Sequence, residues 1–138
     1  MVNVKDCEVI EGLYYSTNHV WVRVEDGKTR IGITDYAQKQ MREIVFVELP
    51  SIGDELEINE PFGTAESVKA VTDLIAPLSG VIEEINEEVE SAPELLNEDP
   101  YGEGWLLVLA PIDLEKELEE LMDFEKAVEW HKELIEET

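Results

Sequence analysis

Residues 61–85 read PFGTAESVKAVTDLIAPLSGVIEEI. Two extended runs, Phe62 to Val68 and Ala70 to Ile75, meet at Lys69, and a strand follows from Val81 to Ile85 with its glutamates outward. Pro77 and Gly80 bracket the turn before that strand. Neither glycine nor proline marks the bend at Lys69. Short polar residues (Glu66, Ser67, Thr72, Asp73) surround the lysine instead. A primary amine at the tip of a β-hairpin is the feature on which the remaining inferences turn.

The same texture continues upstream. Val20 to Val24 and Thr29 to Ile33 flank Glu25-Asp26-Gly27-Lys28, a hairpin around an Asp-Gly turn. Thr34 is placed to cap a short helix over 35–43, with Tyr36, Gln40 and Met41 making one face. Ile44 to Leu49 is a β-rich run stopped by Pro50 and is expected to be a buried strand; Glu55 to Ile58 makes another. Downstream, Ser91 to Asn97 is expected to form one or two helical turns. Pro100 to Gly104 is a loop, and Trp105 to Ala110 is an apolar strand. After Pro111 the period changes. Leu114, Leu118, Leu121 and Met122, then Val128, Leu134 and Ile135, recur at helical spacing between glutamates, with Asp113 and Asp123 at cap positions. The three leucines are expected to pack onto the strands, at about 1.5 to 3 kcal/mol each when fully buried.

The 138 residues fit one domain over 1–138, with a core over about 13–110 and a helical segment over about 112–136. Such a chain buries roughly two-thirds of its unfolded surface. Acidic residues number 34 against 10 basic ones, a net charge of −24. That excess repels phosphate backbones and anionic lipid, which excludes nucleic acid and membrane surfaces as partners. It favours docking on proteins with basic patches. No apolar run approaches the roughly 20 residues of a membrane span, and the N-terminal MVNVKDCEVIEG carries charges where a signal peptide needs apolar residues. A monomer in the cytoplasm is the expectation. Cys7 is the only cysteine, so no internal disulfide and no thiolate zinc site is available. No metal site is expected.

Several separated blocks resemble one family. Glu66-Ser67-Val68-Lys69-Ala70, followed by Ala76-Pro77-Leu78-Ser79-Gly80-Val81-Ile82, is similar to the lipoyl-lysine region of glycine cleavage H proteins. Gly32 to Gln38, Val45 to Pro50, Asn97 to Leu106 and His19-Val20-Trp21-Val22 agree with it in order, so the resemblance runs over about residues 13 to 110. It implies a mainly β barrel-sandwich hybrid, like lipoyl and biotinyl carriers, with a short inserted helix and C-terminal helices. It also implies lipoic acid attached covalently to Lys69, with Glu66, Ser67, Val68 and Ala70 as flanking recognition residues for a lipoate-attaching enzyme. Acylation removes the ammonium charge and adds an arm of about 14 Å, counting about a dozen bonds.

The partners implied are the pyridoxal-phosphate glycine decarboxylase (P protein), the folate-dependent aminomethyltransferase (T protein) and dihydrolipoyl dehydrogenase (L protein). The carrier takes the aminomethyl group of glycine from the first to the second and is then reoxidised by the third. It is a substrate of those enzymes and has no catalytic residues of its own. Asp73 matches an acidic position near the family's arm cleft, with His19 and Tyr36 as further candidates. His19 is also expected to pack with Trp21. Two departures stand out: Val20 replaces the family's frequent glutamate, and Tyr36 a frequent histidine, which removes titration near neutrality.

Other readings compete. Biotin carriers usually flank their lysine with methionine, whereas Val68 and Ala70 stand here. Lipoyl domains of 2-oxoacid dehydrogenases usually have Asp before the lysine and lack the 20–49 region. A hydrolase with paired carboxylates has no clustered nucleophile or base, with His131 placed by sequence among the charges of the helical tail. An acidic interaction domain explains the charge but not the ordered blocks.

Overall fold

The computed structural model describes residues 2–4 and 6–136, the side chains of 2, 135 and 136 excepted. Ile135 of the tail stripe therefore lies outside the described side chains, and residues 137–138 of the expected domain lie outside the described residues.

The chain opens with an antiparallel pair, β1 (Val2–Val4) and β2 (Cys7–Val9). Then come β3 (Tyr14–Tyr15), β4 (Val20–Glu25) and β5 (Lys28–Ile33), helix α1 (Asp35–Met41) and β6 (Ile44–Glu48). Next are β7 (Glu55–Leu56), β8 (Pro61–Ser67), β9 (Val71–Ile75) and β10 (Gly80–Ile85). Helices α2 (Glu87–Ser91) and α3 (Leu95–Glu98), strand β11 (Leu107–Pro111), and helices α4 (Leu114–Leu118) and α5 (Phe124–Glu136) complete the fold. A six-stranded sheet runs β3-β4-β5-β11-β10-β7, and a three-stranded sheet runs β6-β8-β9. This is the mainly β, sheet-on-sheet arrangement expected, with short helices inserted and at the C-terminal end.

The main core lies between these sheets. Val20, Val22, Ile31, Ile33, Leu107 and Leu109 from the large sheet meet Ile44, Val47, Ala65 and Leu74 from the small one. The first half of β4, Val20 to Val22, is buried on both sides because the N-terminal pair and α5 cover its outer face. Trp21 joins Val4, Val9, Tyr15, Tyr101 and Ala127 there in a second cluster. Gly32 pairs across from Trp21, where an added Cβ would stand 2.5 Å from the indole. The β4–β5 turn has positive φ at both Asp26 (49°) and Gly27 (80°), the primed geometry that matches strand twist.

Thr34 caps α1 by accepting from the Ala37 amide. The burial on α1 differs from the expected stripe: Asp35, Tyr36 and Gln38 are buried while Gln40 is exposed. Asp35 accepts from the Glu8 amide and from Gln38 Nε2, which is how two polar side chains tolerate burial. The strand expected to be buried at 44–49 is half exposed: Val45 is 50% and Phe46 47% accessible. As a sheet edge it turns only Ile44 and Val47 to the core.

The helix expected over 91–97 divides. Asn86 starts α2 early by accepting from the Glu88 amide, and Pro93 holds Ala92 extended (φ −134°) before α3 begins. The strand expected from Trp105 begins at Leu107, and that expected over 55–58 stops at Leu56. Burial extends beyond the expected 13–110 to Val4, Cys7, Val9, Ala127 and His131. Leu114, Leu118 and Leu121 pack against the main core, each half-buried. Asp123 Oδ1 accepts from the Lys126 amide at the start of α5, whereas Asp113 caps α4 without a side-chain bond. His131 is fully buried, which corrects its placement among the solvated charges of the tail: it lies on the face α5 turns inward with Ala127. No described helix is long and apolar enough to cross a membrane.

Candidate functional site

Strands β8 and β9 pair antiparallel through Glu66↔Val71, Ala65↔Thr72 and Thr64↔Asp73. The chain reverses over Ser67–Ala70. The Ser67 amide donates to the Ala70 carbonyl (2.8 Å) and the Ala70 amide donates to Ser67 Oγ (3.2 Å). The serine hydroxyl therefore helps close a bend that contains neither glycine nor proline. Val68 and Lys69 occupy its centre, both exposed, and Lys69 has no ion pair with any described residue. Of the flanking residues, Glu66 and Ser67 are half-buried while Val68 and Ala70 are exposed.

A cleft of about 430 Å³ opens beside this tip, within the size range of small-molecule sites. Lys69 stands on its rim. One wall is α1, through Tyr36, Gln40 and Met41; the other is β9, through Thr72 and Asp73; His19 and Asn18 close one end. The stripe Tyr36-Gln40-Met41 anticipated on the helix thus faces the cleft more than the core. The structure brings together Lys69, Asp73, His19 and Tyr36, which stand up to 54 residues apart in sequence. Asp73 is exposed and Tyr36 buried. Asn18 and Arg42 carry no signal in the sequence, and Gln40, Met41 and Thr72 stand out there only as a helix face and a turn residue, not as parts of a cleft. Arg42 shares the rim with Lys69, and its position follows from Asn97. That side chain donates to the Arg42 carbonyl and to Gln38 Oε1 and accepts from the Ile44 amide, joining α1, α3 and β6.

His19 does not pack on Trp21. Its φ is 65°, and its ring stacks on Trp130 of α5 (centroids 5.0 Å, planes 19° apart) and lies 4.9 Å from Tyr36. Trp21 faces the other cluster and donates from Nε1 to the Pro100 carbonyl. His131 sits edge-on to Tyr36 and Trp130. Burial, and then the proximity of His131, pull His19 down to about 4; burial also lowers His131. Both rings are therefore neutral at neutral pH. The Ala127 carbonyl only accepts, so His131 carries its proton on Nδ1. Its Nε2 and His19 Nδ1 are buried without partners. A larger groove, about 620 Å³, runs beside Phe124, Val128 and Trp130. All its walls come from α5, so nothing encloses a ligand there, and it shares no lining residue with the Lys69 cleft.

Comparison with known proteins places this geometry in context. Residues 13–134 match the family described as glycine cleavage H-protein. The chain is 56% identical over 115 residues to the glycine cleavage system H protein of Oceanobacillus iheyensis, covering 83% of this chain and 90% of that one. It is 50% identical over 135 residues to the probable glycine cleavage system H protein of Pyrococcus abyssi, covering 97% and 100%. Among solved structures it resembles the crystal structure of a glycine cleavage system H protein from Mycobacterium marinum. That match has a TM-score of 0.81 and 34% identity, over 88% of this chain and 98% of the other.

Proposed function

The chain belongs to the glycine cleavage H-protein family, and we propose that Lys69 is the residue on which it carries its lipoyl group. Members of this family are lipoyl carriers in glycine cleavage, acted upon by enzymes rather than catalysing a step themselves. The observation that carries the assignment of Lys69 is its exposure at the centre of a two-strand bend, beside a cleft of about 430 Å³. The lipoyl group, when attached, supplies a disulfide that is opened by a carbanion equivalent and re-formed by oxidation.

This chain's own residues hold and shield that group. The β8–β9 scaffold keeps the attachment point clear of the body, and Glu66, Ser67, Val68 and Ala70 present it to the lipoate-attaching enzyme. An arm of about 14 Å reaches from Lys69 into the cleft. There the Asp73 carboxylate pairs with a cationic amine, Tyr36 offers its hydroxyl, and neutral His19 adds no repulsion. The walls of α1 and β9 thin out bulk water around a hydrolysable cargo.

The partners are the P, T and L proteins, and the carrier works as a single domain over 1–138, a monomer in the cytoplasm. Its acidity suits partners with basic docking faces. Intact mass tests the reading: a lipoate-attaching enzyme with lipoate and ATP adds one lipoyl unit to the wild-type chain and none to Lys69→Arg. A Lys69→Arg chain that still gains the unit places the attachment elsewhere, and a gain of biotin instead supports a biotin carrier.

A further inference from the structure

Four of the large apolar side chains left exposed in this highly charged protein gather around the Lys69 bend: Val45 (50%), Phe46 (47%), Val68 (74%) and Val71 (62%). The register explains the gathering. Phe46 pairs with Glu66, and Glu66 with Val71, so the three side chains form one row across the outward side of the small sheet, opposite the buried row of Val47 and Ala65. A β-bulge between Ile44 and Phe46 interrupts the register at Val45, and Val68 extends the strip to the tip. The Glu66 carboxylate stands within this row, between Phe46 and Val71, and the exposed Glu43 and Glu48 flank Val45 and Phe46 along the chain. Scattered exposed apolar residues are ordinary, but a strip beside a modified residue marks a contact surface.

We propose that this strip is the docking surface for the enzyme that acylates Lys69, which meets it with an apolar pocket bordered by basic side chains. The inference rests on the Lys69 reading, and reach selects the occupant. Enzymes that act on the finished arm meet its sulfurs up to about 14 Å from Lys69, on the cleft side of the bend when the arm is folded there, and need not cover the outward row. The acylating enzyme must bring its donor carbon into bonding distance of Nζ, so it covers Val68 and its neighbours. In that step the neutral amine adds to the carbonyl of an activated lipoyl ester and the amide C–N bond forms. The bond to the leaving group breaks, and the amine's proton passes to that group or to solvent. The unmodified chain has no arm to be recognised by, so the scaffold itself must supply the recognition. Glu66 within the row and Glu43 and Glu48 beside it supply the charge complementarity.

The test is steady-state acylation of the full chain by a lipoate-attaching enzyme with lipoate and ATP, comparing wild type with Phe46→Ser, Val71→Ser, Phe46→Leu and the remote control Ile112→Ser. Ile112 is equally exposed (69%). Loss of an apolar anchor predicts a KM raised about tenfold for each serine variant at an unchanged kcat. Phe46→Leu restores most of it, and Ile112→Ser has no effect. Because all three residues are exposed, the unfolding midpoint stays near that of wild type; should Phe46→Ser unfold, Val71→Ser alone decides. Unchanged KM in the serine variants overturns the proposal. So does normal acylation combined with poor acceptance of the lipoylated variants by the glycine decarboxylase, or light scattering that shows a dimer broken by Phe46→Ser. Failure of the wild-type chain itself to gain a lipoyl unit refutes the Lys69 reading instead.

Discussion

Acidification should weaken the fold through a histidine, in a window set by its surroundings. His19 has an ordinary value of 6.5 and is held at about 4 by burial and by His131. The folded state therefore refuses a proton that the unfolded chain accepts. Stability is intact above about pH 6.5 and is lost as pH falls from there toward about 4, below which both states are protonated and the loss levels off. Between about pH 7 and about pH 5 these two values correspond to about 2 kcal/mol. Water on the cleft side of the ring screens part of this, leaving about 1 kcal/mol. The perturbation is His19→Asn, because asparagine tolerates the positive φ at this position and does not titrate. Removing the stack on Trp130 costs the variant stability at every pH, so the absolute value is uninformative. The difference in pH slope isolates the proton, since the many carboxylates are common to both proteins. Urea unfolding followed by tryptophan fluorescence at the two pH values, at one ionic strength, should show wild type losing about 1 kcal/mol more than His19→Asn. Equal losses would refute the reasoning, and a larger loss in the variant would reverse its sign.

Two further outcomes follow from single contacts. Glu117 is buried, and its two oxygens accept from the Ser79 amide and hydroxyl (2.8 Å each), tying α4 to the turn before β10. Glu117→Ala should cost about 2 to 3 kcal/mol in urea unfolding by leaving the Ser79 groups without these partners, and Glu117→Gln should recover part of it. Asp73 is exposed at the cleft, so its pairing with a loaded amine is worth less than about 1 kcal/mol. Asp73→Asn should shorten the lifetime of the aminomethyl-loaded carrier by about two- to fivefold, measured by mass after loading; a lifetime equal to wild type removes that role.

Much of this protein could be read from local chemistry. An Asp-Gly pair between β-rich runs dictates the β4–β5 hairpin, Thr34 the start of α1, and the runs either side of Lys69 the bend that exposes it, because turn and cap preferences act over a few residues. The ordered blocks around Lys69 resemble those of the family, a likeness of sequence that turn and cap preferences do not supply. Other features depend on partners distant in the chain. Phe46 looks like core in an apolar run and is exposed because β6 is an edge with one face inward. His131 looks like a solvated tail residue and is buried because α5 closes over Trp21, Tyr15 and the β1–β2 pair. The cleft that joins Lys69 to His19, Tyr36 and Asp73 has no local signature, since its walls come from α1 and β9 and its end from the Asn18–His19 corner. Periodicity along one segment reports which residues can share a face. What that face meets, whether core, cleft or open solvent, is set by the packing of elements that only the folded chain brings together.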